Sequence, residues 1–161
     1  MQLLTVSFFG HRIIEDYCFV DREVYSIVSR LIEENEYVDF LVGREGDFDQ
    51  IVSSAVIRAK NKIFDANSSL VWVQPYLRAD YRNHPEDYEE YYDSIEICSE
   101  SSIAHPKAAI QIRNRAMVDR SDLCVFYVSK NKGGAWQTMR YAQQQKKEII
   151  NIFEIEHTDY K

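Results

Sequence analysis

Val38-Asp39-Phe40-Leu41-Val42-Gly43-Arg44-Glu45-Gly46-Asp47-Phe48 passes directly from an apolar strand pattern through a glycine turn into the start of a helix pattern. From Phe48 onward, apolar side chains recur at helical spacing as far as Ile63. In an α/β protein, the turn that leaves a strand brings bare backbone close to a ligand, and glycine permits that approach. This stretch therefore predicts a parallel sheet with a binding site at one edge.

The same order of strand, glycine turn and helix occurs twice more. Gly10 follows the apolar run Leu3–Phe9, and Gly133 and Gly134 follow the run Leu123–Val128. All five glycines of the chain lie in these three turns. Because parallel strands end at the same edge of a sheet, we expect the three turns to meet around one pocket.

Strand patterns alternate with helix patterns along the whole chain. The further strands are predicted at 69–74, 95–98 and 149–155, and the further helices at 20–32, 106–119 and 134–147. This alternation predicts an α/β fold, a three-layer sandwich with a mainly parallel central sheet. With 161 residues and 45% hydrophobic content, we expect one domain that spans residues 1–161.

The composition disfavours several classes of function. Lys and Arg number 19 against 26 Asp and Glu, a formal net charge of −7, so we expect no non-specific binding of nucleic acid. No run is long enough for a membrane span, and we expect a cytoplasmic protein without a membrane partner. Cys18, Cys98 and Cys124 indicate buried thiols rather than disulfides or zinc ligands, and no histidine spacing predicts a metal site.

Two residues of the first turn are candidates for ligand contact. We expect Arg12 to hold a phosphate where the helix after Gly10 opens. His11 could donate a hydrogen bond or transfer a proton to the ligand, because imidazole titrates near neutral pH. A structural hydrogen bond is the alternative for His11.

Arg113 interrupts the apolar face of the helix predicted over 106–119. A buried arginine needs an anion, so we expect Arg113 to contact the ligand. The alternative is a salt bridge to a core carboxylate such as Asp122 or Asp49. Arg115 lies on the other side of the helix and is expected to form a surface or structural ion pair.

The second turn supplies carboxylates, and the third turn supplies neutral polar side chains. Glu45 or Asp49 would accept hydrogen bonds from ribose hydroxyls, although Asp47 and Asp49 also suit helix caps. After Gly133 and Gly134, the side chains of Gln137 and Thr138 would complete a phosphate nest at the start of a helix.

The segment 76–93 is rich in tyrosine and acidic residues and follows a strand. One interpretation is a lid that stacks a tyrosine on the ligand. The other is an acidic surface helix whose tyrosines pack on the sheet or on a partner subunit.

Taken in order, several short motifs resemble the SLOG superfamily and, within it, the short bacterial proteins of unknown function labelled DUF1273-like. The motifs are Gly10-His11-Arg12, the segment from Val42 to Asp49, Arg113-Asn114-Arg115-Ala116-Met117, Ser121-Asp122 and Gly133-Gly134-Ala135. The resemblance implies a Rossmann-like fold and a nucleotide-derived ligand, with ADP-ribose or an NAD-like molecule the usual suggestion. It also adds Asn114 to the predicted ligand-binding residues.

The resemblance has two departures that bear on catalysis. One is the acidic segment that the family carries before Arg113-Asn114-Arg115, where this chain has Ile103-Ala104-His105-Pro106. The other lies in the third turn. Phosphoribohydrolases of the superfamily carry a third glycine and a catalytic glutamate in the turn where this chain has Gly133-Gly134-Ala135 and then Gln137-Thr138-Met139-Arg140. The third glycine and the glutamate are both missing here, which argues against hydrolysis and does not argue against ligand binding.

The hypothesis at this stage is a sensor of a nucleotide-derived anion. It requires no cofactor, and its bound ligand would be ADP-ribose, an NAD-like nucleotide or a nucleoside phosphate. The first alternative is an N-glycosidic hydrolase with Glu45 or Asp49 as the catalytic acid–base group. The second is a protein-interaction module, phage- or defence-related, that uses the acidic tyrosine segment. A homodimer is compatible with all three.

Overall fold

A computed structural model describes residues 3–63 and 66–158 of the chain. The strands are β1 Leu3–Gly10, β2 Tyr37–Val42, β3 Ser68–Gln74, β4 Ser94–Ile97, β5 Leu123–Tyr127 and β6 Glu148–Asn151. The helices are α1 Tyr17–Glu34, α2 Asp47–Ile63, α3 Ala79–Asn83, α4 Pro85–Glu89, α5 Ser99–Ser102, α6 Pro106–Asp119, α7 Gly134–Gln144 and α8 Ile152–Thr158.

The strands form one six-stranded sheet in the order β4-β3-β2-β1-β5-β6, and every neighbouring pair is parallel. The chain builds the sheet outward from β1 to β4 and then crosses to the other side of β1 with β5. The predicted α/β sandwich with a parallel sheet is confirmed. The reversal of strand order beside β1 creates the crevice in which open α/β sheets bind ligands.

Side chains of β1 alternate between the two faces of the sheet. Val6 and Phe8 pack in the core that α1 and α2 cover, whereas Phe9 packs in the core that α6 and α7 cover. Both faces are buried, which explains why the strands read as nearly continuous apolar runs.

The last predicted strand is too long. β6 ends at Asn151, and the next residues, expected to continue the strand as far as Ile155, form α8. Asn151 is buried, and its side-chain oxygen accepts hydrogen bonds from the backbone N–H of Val128 at 3.1 Å and of Phe153 at 3.3 Å. This side chain fixes β6 to the end of β5 and satisfies an amide of the first turn of α8.

The tyrosine-rich segment forms α3, α4 and the turn before β4. Tyr81, Tyr88 and Tyr92 surround the buried indole of Trp72, with ring centroids 5.2–5.8 Å from it. For these three tyrosines the structure agrees with packing on the sheet rather than with a lid.

The three cysteines are free thiols in different environments. Cys98 and Cys124 are buried, and burial raises the pKa of Cys124 to about 11. Cys18 is exposed, contrary to the expectation of a buried thiol, because it lies on the outer side of the first turn of α1. Among the described residues, no helix is long and apolar enough to cross a membrane.

Candidate functional site

A cavity of about 360 Å³ lies at the carboxyl ends of β1, β2 and β5. Backbone from the three glycine turns and side chains of α6 form its wall. Among the predicted ligand-binding residues, all except Gln137 and Thr138 line the cavity: Gly10, His11, Arg12, Gly43, Glu45, Gly46, Asp49, Arg113, Asn114, Gly133 and Gly134. The structure therefore brings the three turns together, although Gly10 and Gly133 are 123 residues apart in sequence.

The first turn is a loop rather than the start of a helix. α1 begins only at Tyr17, so the expectation that His11 and Arg12 open a helix is wrong. The loop is instead attached to the start of α2, where the N–H of Asp47 donates to the carbonyl of Arg12 at 2.8 Å. The carboxylate of Asp47 accepts the N–H of Ile14 at 3.0 Å, which assigns Asp47 to the structure of the turn.

Gly46 allows this attachment. A Cβ at Gly46 would overlap the Cα and the carbonyl of Arg12, so the two turns approach at a distance that only glycine tolerates. The sequence predicted close approach of these turns to a ligand. At Gly46 the close approach is between the first and second turns themselves.

Arg113 is buried at the bottom of the cavity and is paired with Glu45. Its two terminal nitrogens each donate to one oxygen of the Glu45 carboxylate at 3.1 Å, in a bidentate geometry. The same guanidinium donates to the carbonyl of Val73 at 2.9 Å and to the side chain of Asn114 at 3.0 Å. The carboxylate partner is thus Glu45, rather than the Asp122 or Asp49 considered from the sequence.

Asp49 lies beside this ion pair. Its carboxylate accepts the backbone N–H of Glu45 at 2.8 Å. Burial and the neighbouring Glu45 charge raise the pKa of Asp49 to about 7. Burial also acts to raise the pKa of Glu45, but the charge and hydrogen bonds of Arg113 outweigh it and lower that pKa overall. Glu45, Asp49 and Arg113 form what we call the floor of the cavity.

His11 is held by the backbone. Its Nε2 accepts the N–H of Ser129 at 2.9 Å, which links the first turn to the loop after β5. Burial, and then the positive charge of Lys130, lower the pKa of His11. The imidazole is therefore neutral at pH 7 with its proton on Nδ1, and it fits the structural hydrogen bond offered as the alternative.

Gly133 adopts a positive φ of 95° immediately before α7, the conformation that glycine favours there. Of the two side chains predicted to complete a phosphate nest, Gln137 is exposed and Thr138 is buried. The Thr138 hydroxyl accepts the side-chain amide of Asn114 at 3.2 Å and donates to the carbonyl of Gly134 at 2.9 Å. Thr138 and Asn114 thus join α7 to α6, and neither Gln137 nor Thr138 reaches the cavity.

The positive charge of the site is at its edge. Arg12 is exposed on the cavity wall, and within the described part of the chain no carboxylate lies within 4.0 Å of its guanidinium. Lys130 acts electrostatically on His11, and Lys132 directly precedes Gly133; both are exposed. Arg12, Lys130 and Lys132 are called the rim cations below.

Several residues of the site were not predicted from the sequence. The apolar part of the wall comes from Phe8, Phe9, Ile110, Met117 and Ala135. Ile110 and Met117 lie three residues before and four residues after Arg113, so helical spacing placed them on its face of α6. Lys130 and Lys132 lack such a signal, because they lie in a loop with no periodic pattern.

Two solved structures share this fold. DNA processing protein A from Helicobacter pylori is 18% identical, with a TM-score of 0.64 over 91% of this chain, and it is described by its unique single-stranded DNA binding mode. DNA processing protein A from Streptococcus pneumoniae is 14% identical, with a TM-score of 0.66 over 91% of this chain. The aligned part covers 63% and 49% of those two chains.

These neighbours show a Rossmann-like fold for this chain. No protein-family model and no curated protein matches it in sequence.

The comparison corrects two predictions. The two proteins compared above are DNA processing proteins, and one of them is described as binding single-stranded DNA. The predicted function, sensing of a small nucleotide-derived ligand with hydrolysis or protein interaction as alternatives, is therefore wrong. The expectation of no non-specific nucleic-acid binding is wrong for the same reason. That expectation treated the net charge as uniform over the surface, whereas the exposed guanidinium of Arg12 lines the cavity and Lys130 acts electrostatically on His11 of the same cavity.

Proposed function

We propose that the chain binds single-stranded DNA, with the sugar–phosphate backbone crossing the cavity between the first turn and the start of α7. The observation that carries this proposal is the exposed guanidinium of Arg12 on the cavity wall, which has no carboxylate partner among residues 3–63 and 66–158. An exposed arginine without a carboxylate partner is available to a phosphate. The likeness in fold to a single-stranded DNA binding protein supports the choice of ligand.

The distribution of charge supports binding at the rim. Arg113 is neutralised by Glu45 in the floor, so the rim cations supply the positive field of the site. The first N–H groups of α7 lie at the same edge, and the positive end of the helix dipole adds to that field. A phosphate would therefore be held at the edge of the cavity, above the floor.

A single strand suits this surface better than a duplex. Arg12 lines the cavity, and Lys130 and Lys132 lie in the loop that leads to Gly133 of its wall, while the formal net charge of the whole chain is −7. An extended duplex would bring many phosphates close to the negative remainder of the surface. A flexible single strand can bend so that a few phosphates meet the rim alone.

Two finer assignments are part of the proposal. We assign the chain to the short bacterial DUF1273-like branch, on the motifs Gly10-His11-Arg12 and Arg113-Asn114-Arg115. We also assign it a role in DNA processing, by analogy with proteins whose length it spans only in part.

Fluorescence anisotropy with a labelled oligothymidine at low ionic strength tests the proposal. We expect Arg12→Ala to weaken binding several-fold and to reduce the slope of log K against log salt by about 0.7, the value for one phosphate contact to a single strand. Arg30→Ala is the matched control, because Arg30 is an exposed arginine on α1 that does not line the cavity. A wild-type protein that binds no oligothymidine, or an Arg12→Ala variant that binds like Arg30→Ala, would overturn the proposal.

A further inference from the structure

A second concave surface lies on the other side of the second turn. It has a volume of about 450 Å³ and is lined by Tyr17, Arg44, Gln50, Ser54, Asp87, Tyr88 and Tyr91. We call it the tyrosine groove. Arg44 lines this groove, and the next residue, Glu45, lines the first cavity. The two sites are thus separated by one turn of backbone.

Aromatic rings of the groove are open to solvent. Tyr17 is 46% exposed and Tyr91 is 41% exposed, in contrast to Tyr92, which is buried against Trp72. Two exposed aromatic rings that line the same concave surface offer a stacking platform to a ligand. Tyr17 comes from the start of α1 and Tyr91 from the turn before β4, so two separate parts of the chain bring their rings to one place.

Arg44 connects the groove to the core. Its guanidinium lies over the ring of Tyr88, 5.0 Å from the centroid, and donates to the hydroxyl of Tyr92 at 3.0 Å. Arg44 is half-buried and already has these partners, so it fixes the orientation of the rings rather than offering a free charge. The groove is therefore rigid on its inner side and open at Tyr17 and Tyr91.

The chemistry of the groove fits a neutral, flat group better than a phosphate. The guanidinium of Arg44 already donates to Tyr92, and Asp87 adds a negative charge that would repel an anion. Gln50 and Ser54, four residues apart on α2, present an amide and a hydroxyl to the same space. These groups can donate to and accept from the edge of a nucleobase, while tyrosine rings stack on its face.

We propose that the tyrosine groove is a nucleobase-stacking subsite, which receives a base of the DNA strand whose phosphates lie at the rim of the first cavity. This inference rests on the proposed function. The strand would pass over the Arg44–Gly46 turn, with its phosphates on one side of the turn and a base between Tyr17 and Tyr91 on the other.

The test compares two oligonucleotides of equal length, an oligothymidine and a fully abasic strand with the same phosphates. The wild-type protein should bind the oligothymidine more tightly, because only that strand offers bases for stacking. A double variant, Tyr17→Ala with Tyr91→Ala, should lose about tenfold in affinity for the oligothymidine and keep its affinity for the abasic strand. Tyr17→Phe with Tyr91→Phe should restore binding, since phenylalanine preserves the aromatic face.

Tyr76→Ala is the control, because Tyr76 is 39% exposed but does not line the groove. If the wild-type protein binds neither strand, the proposed function fails and the inference fails with it. If the wild-type protein binds both strands equally, or if the double alanine variant weakens both to the same extent, the inference is overturned and the proposed function stands.

Discussion

The pair of Arg113 and Glu45 is the ionic contact of the cavity floor, with side-chain exposures of 3% and 15%. Arg113→Met would leave the Glu45 carboxylate without its cation and the Val73 carbonyl without one of its donors. Breaking a buried pair from one side costs about 3–5 kcal/mol, because an uncompensated charge is left behind. We expect a loss of this size in the free energy of unfolding, measured by urea denaturation.

The matched control for Arg113 is Arg58, which pairs with Asp21 at the surface with exposures of 47% and 29%. Arg58→Met should cost about 1 kcal/mol or less, because water screens an exposed pair. Equal losses for the two variants would contradict the assignment of a structural role to Arg113.

Asp49 should make stability depend on pH. Its pKa is raised in the folded protein from 3.8 to about 7, so the protonated carboxyl favours folding. The contribution of Asp49 is full below pH 4 and is lost as the pH rises through about 7. Asp49→Asn should therefore flatten the fall in unfolding free energy between pH 5 and pH 8, measured by urea denaturation at both values.

The contribution of Glu45 to stability depends on pH in the opposite direction and changes in a more acidic pH range. Its pKa is lowered from the ordinary value of 4.5, so its contribution is present above that value and is lost at more acidic pH. The two carboxyls are thus separable by pH. A wild-type fall between pH 5 and pH 8 that persists unchanged in Asp49→Asn would show that another group causes it.

The first and second turns are held together at a close contact between Gly46 and the backbone of Arg12. Gly46→Ala would place a Cβ against the backbone of Arg12, and backbone cannot move aside as a flexible side chain can. We expect a loss of about 1–3 kcal/mol in the free energy of unfolding, the usual cost of overpacking. Chemical denaturation monitored by circular dichroism measures it.

Gly134→Ala is the comparison for this substitution. A Cβ at Gly134 would approach only the side-chain amide of Gln111, at 3.0 Å, and alanine is well suited to the first turn of a helix. This variant should unfold close to wild type. If Gly46→Ala proves as stable as Gly134→Ala, the first and second turns can separate without a loss of stability.

Most helices and strands were predictable from the sequence because their apolar residues recur at the spacing typical of that secondary structure. The helix predicted over 106–119 matches α6 at both ends, and β2 differs from its prediction by one residue. The error at β6 has a physical cause, since the hydrogen bonds of Asn151 to Val128 and Phe153 override the β propensity of Ile152, Phe153 and Ile155. The short helix α5 was missed because four residues are too few to show a period.

The position of the cavity was predictable from the sequence, whereas the pairing of charges inside it was not. Three glycine turns at the ends of parallel strands define one edge of the sheet, whatever their side chains. The charge of the cavity depends instead on which groups pair, and the partners Arg113 and Glu45 are 68 residues apart. A net charge of −7 therefore said little about the local field at the rim cations.

The different exposure of the three thiols allows ligand binding to be followed with a fluorescent label. Cys18 is exposed, whereas Cys98 and Cys124 are buried. A maleimide dye should therefore attach selectively at Cys18, which is adjacent in sequence to Tyr17. A fluorophore at that position would report, in real time and without any engineered cysteine, the arrival of a ligand beside the start of α1.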